Sequence, residues 1–160
     1  MNGWLVAGLV VAGLIAVVVR RLLGEPLAVS DLLAPAAIFS GIGIWILCDT
    51  DDLAAGDIGW VVGGAVLGTA LGAVRGTTVR VFAKEGVLWQ RYTGRTFLVI
   101  VGSLLVMAVF GLLAQKAGMH ADARPVQLSI GVGFLGEALV VGRRARTTGI
   151  PFAPERSRLR

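Results

Sequence analysis

Five long apolar stretches, separated by polar segments, limit what this chain can fold into. They cover residues 3–19, 32–48, 58–74, 96–114 and 126–141. A hydrocarbon layer about 30 Å thick is crossed by roughly 17 to 25 helical residues, and lipid offers no partner to a free backbone N–H or C=O group. The sequence therefore predicts an all-α membrane protein with five transmembrane helices in a single domain, residues 1–148. Most stretches are short for a span, so flanking residues are expected to extend them.

The composition agrees with a membrane protein. The mean hydropathy is +0.81, and 56% of the residues are hydrophobic while 16% are charged. The single cysteine, Cys48, rules out an intramolecular disulfide and a four-thiolate metal site. His120 is expected at the same outer surface, but two ligands without a third do not form a metal or haem site. The sequence therefore predicts neither a metal nor a cofactor.

The basic residues are distributed unevenly between the two ends of the predicted helices. With the N-terminus outside, the inside segments hold two basic residues in the first connection, five in the central segment and six after the fifth stretch, thirteen of fifteen. Only Lys116 and Arg124 then lie outside. Because basic residues favour the cytoplasmic side, the sequence predicts an N-out, C-in multi-pass protein of the bacterial cytoplasmic membrane.

The end of the chain has a different composition from the apolar stretches. The residues from 143 onward contain Pro151, Pro154 and six arginines. A segment of this kind lacks the apolar side chains needed to offset the entropy of ordering. We therefore expect a disordered basic end, with a cytoplasmic tail at residues 149–160.

The longest polar segment inside the chain lies between the third and fourth apolar stretches. Residues 77–83 and 87–92 are rich in β-branched and aromatic side chains of alternating character, and Lys84-Glu85-Gly86 has the composition of a turn. The pattern predicts a short cytoplasmic β-hairpin at residues 76–94. The alternative is an amphipathic helix lying on the membrane surface, which Gly86 disfavours because glycine weakens helices.

A row of glycines in the third stretch predicts helix packing. Gly64, Gly68 and Gly72 recur every four residues, so they lie on one face of a helix. Small residues let the backbones of two helices approach closely in lipid. We expect this face to pack against another helix.

Glu137 is the one acidic residue well inside an apolar stretch. Such carboxylates are costly and by default face the bundle or a cavity. Two interpretations remain open, a structural ion pair with Arg75 or Arg144, and a proton or substrate site. Ser129 shares a helix face with Glu137, whereas Gln127 lies off that face. Arg75, at the end of the third stretch, is also placed to bind a lipid phosphate.

Other basic side chains are expected to contact lipid. Positive charges at the cytoplasmic ends of helices attract anionic headgroups. The predicted headgroup contacts are Arg80, Lys84, Arg91, Arg95, Arg143 and Arg144. Trp89 and Tyr92 beside them give an aromatic and basic mixture that is also found in nucleic-acid-binding proteins. Its place between two predicted spans favours lipid, so no nucleic-acid partner is expected.

The region around the central segment resembles a known family. A glycine-rich stretch ends in Gly-Ala-Val-Arg75-Gly-Thr-Thr, the hairpin contains Gly86-Val-Leu-Trp-Gln, and a basic residue then precedes another apolar stretch. Over roughly residues 58–115 this looks like the CcdC-like membrane proteins of Gram-positive bacteria, named from a cytochrome c maturation locus. The resemblance implies a multi-spanning protein without assigned catalytic residues, in which Arg75 and the hairpin are important. The chain lacks the paired cysteines of a thiol–disulfide carrier.

These features favour a non-enzymatic function. We expect an accessory or assembly protein whose partners are membrane lipids and either further copies of itself or another membrane protein. One alternative is an oligomeric small-molecule or ion transporter that uses Glu137, since 160 residues are few for a transporter on its own. The other is a membrane-embedded enzyme acting on a lipid or isoprenoid, which requires Glu137, Ser129 and Arg75 to converge within hydrogen-bond reach. No nucleophile–base pair, HExxH, P-loop or dinucleotide motif supports an enzyme.

Overall fold

The computed structural model describes residues 3–50, 54–120 and 126–154, and it is mostly helical. Its helices are α1 (Gly3–Leu23), α2 (Val29–Cys48), α3 (Ala55–Thr78), α4 (Gly94–Lys116) and α5 (Val126–Thr147). Its strands are β1 (Glu25–Pro26), β2 (Arg80–Lys84) and β3 (Val87–Arg91). Within these described ranges, four helices, α2 to α5, are long and apolar enough to cross a membrane.

The helices extend beyond the apolar stretches that predicted them. α1 continues past its two arginines to Leu23, α3 continues to Thr78, and α5 continues to Thr147. Residues 77 and 78, which were expected in a strand, are therefore helical. A hydropathy pattern stops at the first charged residues, whereas a helix stops where the backbone changes conformation. α1 ends before Gly24, whose φ of +85° is the left-handed conformation that glycine adopts readily.

α5 is the central helix of the bundle and packs against both α2 and α3. Its backbone approaches each neighbour at a glycine. A methyl group added to Gly43 of α2 would lie 2.6 Å from the Cα atom of Leu128, and one added to Gly72 of α3 would lie 2.7 Å from the carbonyl carbon of Gly133. Since no side chain fits in either place, glycine is what permits these helix separations. α4 packs on α3 at the outside of the bundle.

The central polar segment forms a β-hairpin to which a third strand is added. β2 and β3 pair antiparallel along their whole lengths. Glu85 and Gly86 have φ values of +54° and +78°, as in a type I′ turn, whose twist matches that of the strands. The surface helix considered for this segment is therefore wrong. β1 pairs with the other edge of β3, with Glu25 opposite Gln90.

A cluster of buried apolar side chains lies where the sheet meets α5. Leu88 of β3 and Val141 of α5 are both completely buried and belong to one cluster, which Leu27 and Leu32 extend towards α2. Burial of this kind stabilises the fold by about 1.5 to 3 kcal/mol for each large aliphatic side chain. The sheet is therefore an integral part of the domain.

The segment that follows α5 is held against the sheet. The Leu88 N–H donates to the Pro151 carbonyl oxygen at 3.1 Å, and the Ala153 N–H donates to the Leu27 carbonyl oxygen at 3.0 Å. The expectation of disorder after the fifth stretch is therefore wrong for α5 and for the residues up to 154. Residues 155–160, the remainder of the predicted tail, lie outside the described residues.

Candidate functional site

Glu137 lies at the centre of a buried group of charged and polar side chains. It is in the middle of α5 and is completely buried. Its carboxylate accepts hydrogen bonds from Arg21 Nη1 and from Arg75 Nε. The Tyr92 hydroxyl oxygen lies 2.7 Å from Oε1 and 2.9 Å from Oε2 of the same carboxylate. We call these four residues the charge cluster.

Arg21 and Tyr92 position each other through backbone and side-chain contacts. Arg21 lies in the last turn of α1 and is 1% exposed. Its Nη1 donates to the Tyr92 hydroxyl oxygen at 2.8 Å, and its carbonyl oxygen accepts the Tyr92 N–H at 2.8 Å. Because Tyr92 directly follows β3, these bonds fix the end of the first helix to the end of the central strand.

A second carboxylate, that of Glu25 in β1, borders the charge cluster. Arg21 Nε lies 3.7 Å from Glu25 Oε1, and Gln90 Nε2 donates to the same oxygen at 3.2 Å. The exposed Arg20 side chain approaches the other oxygen at 3.6 Å. The charge cluster and Glu25 together have two cationic and two anionic groups, so positive and negative charge are balanced.

A buried aromatic ring contacts both cations of the charge cluster. The guanidinium carbons of Arg21 and Arg75 lie 5.4 Å and 5.2 Å from the centroid of the Phe134 ring, within range of a cation–π interaction. Phe134 lies on α5 about one turn before Glu137 and is buried. Apolar surface beside the ion pairs lowers the local dielectric constant and strengthens their attraction.

Burial also determines the protonation state of the tyrosine. Removal from water raises the pKa of Tyr92 above its ordinary range, because the phenolate form would carry a charge. The hydroxyl group therefore keeps its proton and can donate to Glu137. A carboxylate that receives two guanidinium donors and a phenol has its charge compensated and its oxygens occupied, as in a stable buried ion pair.

Two of the sequence-predicted candidates lie away from the charge cluster. Ser129 precedes Glu137 on α5 by about 12 Å along the helix axis, at 1.5 Å per residue. Gln127 precedes it by about 15 Å on the same basis. Arg75 does contact Glu137, but Ser129 does not converge with them. The arrangement required for the proposed membrane-embedded enzyme is therefore not formed by these three residues.

The predicted packing glycines are on the inner face of α3. Gly64, Gly68 and Gly72 are all buried. A methyl group at Gly68 would lie 3.0 Å from Val132 of α5, whereas one at Gly64 would lie 3.2 Å from the Phe110 ring of α4. The row of glycines therefore faces α5 along most of its length and α4 at one end. The close approach of α3 to α5 brings Arg75 to the charge cluster.

The basic residues predicted to contact headgroups are all exposed. They are Arg80, Lys84, Arg91, Arg95, Arg143 and Arg144. Two of them also bond to the backbone, since Arg91 Nε donates to the Leu22 carbonyl oxygen at 3.3 Å and Arg144 Nη1 donates to the Val79 carbonyl oxygen at 2.8 Å. Arg144, one of the two suggested partners of Glu137, is therefore directed to the end of α3 instead.

His120 and Cys48, the two weak candidates for a metal or haem site, have separate environments. The His120 backbone N–H lies 3.1 Å from Asp57 Oδ1, and its ring Nδ1 lies 2.9 Å from Oδ2. Cys48 is exposed. No group of three or more His, Cys, Asp or Glu side chains within the described ranges could hold a metal ion. The Asp57 contact instead ties the segment after α4 to the first turn of α3.

Arg21 and Tyr92 are absent from the site residues that the sequence predicted. They are separated from Glu137 by 116 and 45 residues, and no short-range pattern links either of them to it. An arginine at the end of an apolar stretch has the position expected of a topology signal. Only the fold reveals that one of the two adjacent arginines turns inward.

Comparisons with protein families, with curated proteins and with solved structures find no match to this chain. The resemblance to the CcdC-like proteins therefore remains a prediction. A function has to be inferred from the geometry of the charge cluster and of the surrounding helices.

Proposed function

We propose that this chain is a five-span protein of the bacterial cytoplasmic membrane that serves as an accessory or assembly protein. In this proposal its N-terminus is outside, and its sheet and C-terminus are cytoplasmic. Its partners are anionic lipid headgroups at the cytoplasmic face, and either further copies of itself or another membrane protein. It acts by binding and holding these partners rather than by transport or catalysis.

The exposed side chains support a membrane location. On α4, Leu98, Leu104 and Leu105 are 71%, 64% and 64% exposed. Apolar surface of this extent is stable against lipid or a partner protein but not against water. α1 has 21 residues and exposes Leu9 and Ile15, so we assign it as the fifth span beside α2 to α5.

The charge cluster supports the orientation. Its contacts bring together the C-terminal ends of α1 and α3 and the sheet that leads into α4. The exposed arginines Arg20, Arg80 and Arg95 belong to these same segments, and an excess of arginine marks the cytoplasmic side. A reporter fused after Arg160 should therefore be cytoplasmic, and one inserted between α2 and α3 should be outside. An extracytoplasmic C-terminus would overturn this orientation.

The main support for a non-enzymatic function is that Arg21, Arg75 and Tyr92 already bind the Glu137 carboxylate. A transport site must exchange the partners of its carboxylate in each cycle, and breaking a buried ion pair leaves an uncompensated charge at a cost of about 3 to 5 kcal/mol. A cavity of about 290 Å³ does lie between α3, α4 and α5, but its lining includes Phe110, Leu128 and Ser129 and none of the charge cluster. The geometry therefore favours a structural role for Glu137, in which it joins the helices to the sheet.

Native mass spectrometry of the gently solubilised protein tests the proposal. We expect a chain that retains anionic lipid, alone or in complex with its protein partner, and no other small molecule. A defined oligomer with a reproducible non-lipid mass would favour transport or catalysis. In that event Glu137→Gln would remove the ligand mass and leave the protein folded. If Glu137 has a structural role, the same substitution destabilises the fold instead.

A further inference from the structure

Three of the exposed arginines line one open pocket at the end of the bundle where the sheet lies. The pocket has a volume of about 640 Å³ and is formed by the end of α3, the start of β2, the start of α4 and one side chain of α5. Arg80, Arg95 and Arg144 contribute its positive charge, and no carboxylate is among its lining residues. We call it the arginine pocket.

We infer that the arginine pocket binds a phosphate group, supplied by an anionic lipid headgroup or by a soluble phosphoester. The guanidinium group presents paired N–H donors whose geometry matches phosphate oxygens. The inference deepens the proposed function, because a lipid reaches this pocket only if the sheet lies at the membrane surface.

The walls of the pocket are fixed by hydrogen bonds. Arg144 Nη1 donates to the carbonyl oxygens of Gly76, Thr77 and Val79 at 2.9, 3.2 and 2.8 Å. The hydroxyl groups of Thr93 and Thr96 both lie within hydrogen-bond distance of the Thr78 carbonyl oxygen, at 3.3 and 3.0 Å. These bonds join α3, α4 and α5 around the pocket. They also cover the carbonyl end of α3, which would otherwise repel an anion.

The positive charge of the pocket lacks a counter-ion in the described part of the chain. Arg80 and Arg95 are exposed and form no ion pair with any described residue. Arg80 lies directly opposite Arg91 in the hairpin, and like charges opposite each other destabilise a pair of strands. An anion bound at Arg80 would relieve this repulsion, so ligand binding and folding of the hairpin favour each other.

The first turn of α4 adds backbone donors to the pocket. Thr93 caps this helix, accepting the Thr96 N–H on its side chain and the Phe97 N–H on its carbonyl oxygen. The N–H groups of Gly94 and Arg95 have no hydrogen-bond partner among the residues that the structure describes. Free N–H groups and the positive end of the helix dipole both stabilise a phosphate.

A lipid-binding titration with matched variants of the full chain tests the inference. The pocket variant carries Arg80→Gln and Arg95→Gln. The control variant carries Arg20→Gln and Arg146→Gln, which remove the same charge from exposed positions of α1 and α5 outside the pocket. The probe is phosphatidylglycerol, titrated into protein in phosphatidylcholine nanodiscs and counted by native mass spectrometry.

We expect the pocket variant to bind phosphatidylglycerol at least about tenfold more weakly than the unaltered chain, because two charge-assisted donors to the phosphate are removed. The control variant should lose less than about threefold, as expected for screened surface charges. An equal loss in both variants, or no loss in either, would overturn the site. Because the replaced side chains are exposed, both variants should remain folded, and the pocket variant should unfold at no lower a temperature than the unaltered chain, since Arg80→Gln removes the repulsion from Arg91.

A competition with glycerol phosphate identifies the source of the phosphate. If glycerol phosphate displaces phosphatidylglycerol from the unaltered chain, but does not displace the phosphatidylglycerol that the pocket variant still binds, the ligand is a soluble phosphoester. If it does not compete, the ligand is the lipid. If the arginine pocket does not bind phosphate, the topology and the native mass of the unaltered chain stay as proposed. That result is therefore distinguishable from one that overturns the proposed function.

Discussion

Arg21 and Glu137, which are 116 residues apart in the sequence, form an ion pair in the buried centre of the fold. Both side chains are almost completely enclosed, with exposures of 2% and 0%. The pair connects the last turn of the first helix to the middle of the last helix. Tyr92 and Arg75 bind the same carboxylate, so a single side chain of α5 holds together α1, α3 and the residue that directly follows β3.

Removal of the tyrosine hydroxyl should weaken the charge cluster without emptying it. Tyr92→Phe keeps the ring but leaves Arg21 and Glu137 each without one buried hydrogen bond. We expect the free energy of unfolding to fall by about 1 to 3 kcal/mol, measured by equilibrium unfolding in mixed micelles. Ser103→Ala is the control, since that hydroxyl only donates to Val99 in its own helix, and it should change little. Equal effects of the two substitutions would contradict the account.

An alanine at Gly72 should separate α3 from α5. The added methyl group would overlap the carbonyl group of Gly133, and overpacking of this kind costs about 1 to 3 kcal/mol. Gly59→Ala in the same helix has no atom within 4 Å of the added group, so it should be neutral or slightly stabilising. Thermal unfolding in detergent distinguishes the two variants. A Gly72→Ala protein as stable as the Gly59→Ala protein would show that the helices do not touch there.

Deletion of residues 149–160 should destabilise the domain. It removes the backbone hydrogen bonds of Pro151 and Ala153 and the apolar cover that Ile150 and Phe152 give to the core. We expect a loss of roughly 2 to 4 kcal/mol from these terms. Truncation after Pro154 keeps all of these contacts and serves as the control. If both truncated chains unfold like the complete chain, the segment is not bound to the sheet.

The helices and the hairpin turn could be predicted because their signals are local. Each apolar stretch identifies its own helix, and Glu85-Gly86 between two β-rich runs identifies the turn. The ends of the helices could not be predicted from hydropathy, since α1 continues through charged residues to Leu23 and α5 continues to Thr147. Helix ends depend on backbone conformation and on caps, which a hydropathy pattern does not report.

The charge cluster could be predicted only in part. Glu137 stands out because a carboxylate in an apolar stretch needs a partner, and Arg75 was one of the two partners suggested. Arg21 and Tyr92 come from distant parts of the chain, and their approach depends on β1, a strand of only two residues that leaves no periodic pattern. The segment around Pro151 is held by backbone hydrogen bonds and by Ile150 and Phe152 packed on the core, which are too few apolar side chains to form a periodic pattern.

A double-mutant cycle on Arg75 and Glu137 tests the central claim, that Glu137 is a structural ion-pair centre, most directly. The free energy of unfolding is measured for Glu137→Gln, for Arg75→Gln and for the double variant in mixed micelles. We predict that Glu137→Gln alone lowers the free energy of unfolding by about 3 to 5 kcal/mol. The double variant should lose roughly 0.5 to 3 kcal/mol less than the sum of the two single losses. A Glu137→Gln protein that unfolds like the unaltered chain would contradict the claim and favour a transport role for this carboxylate.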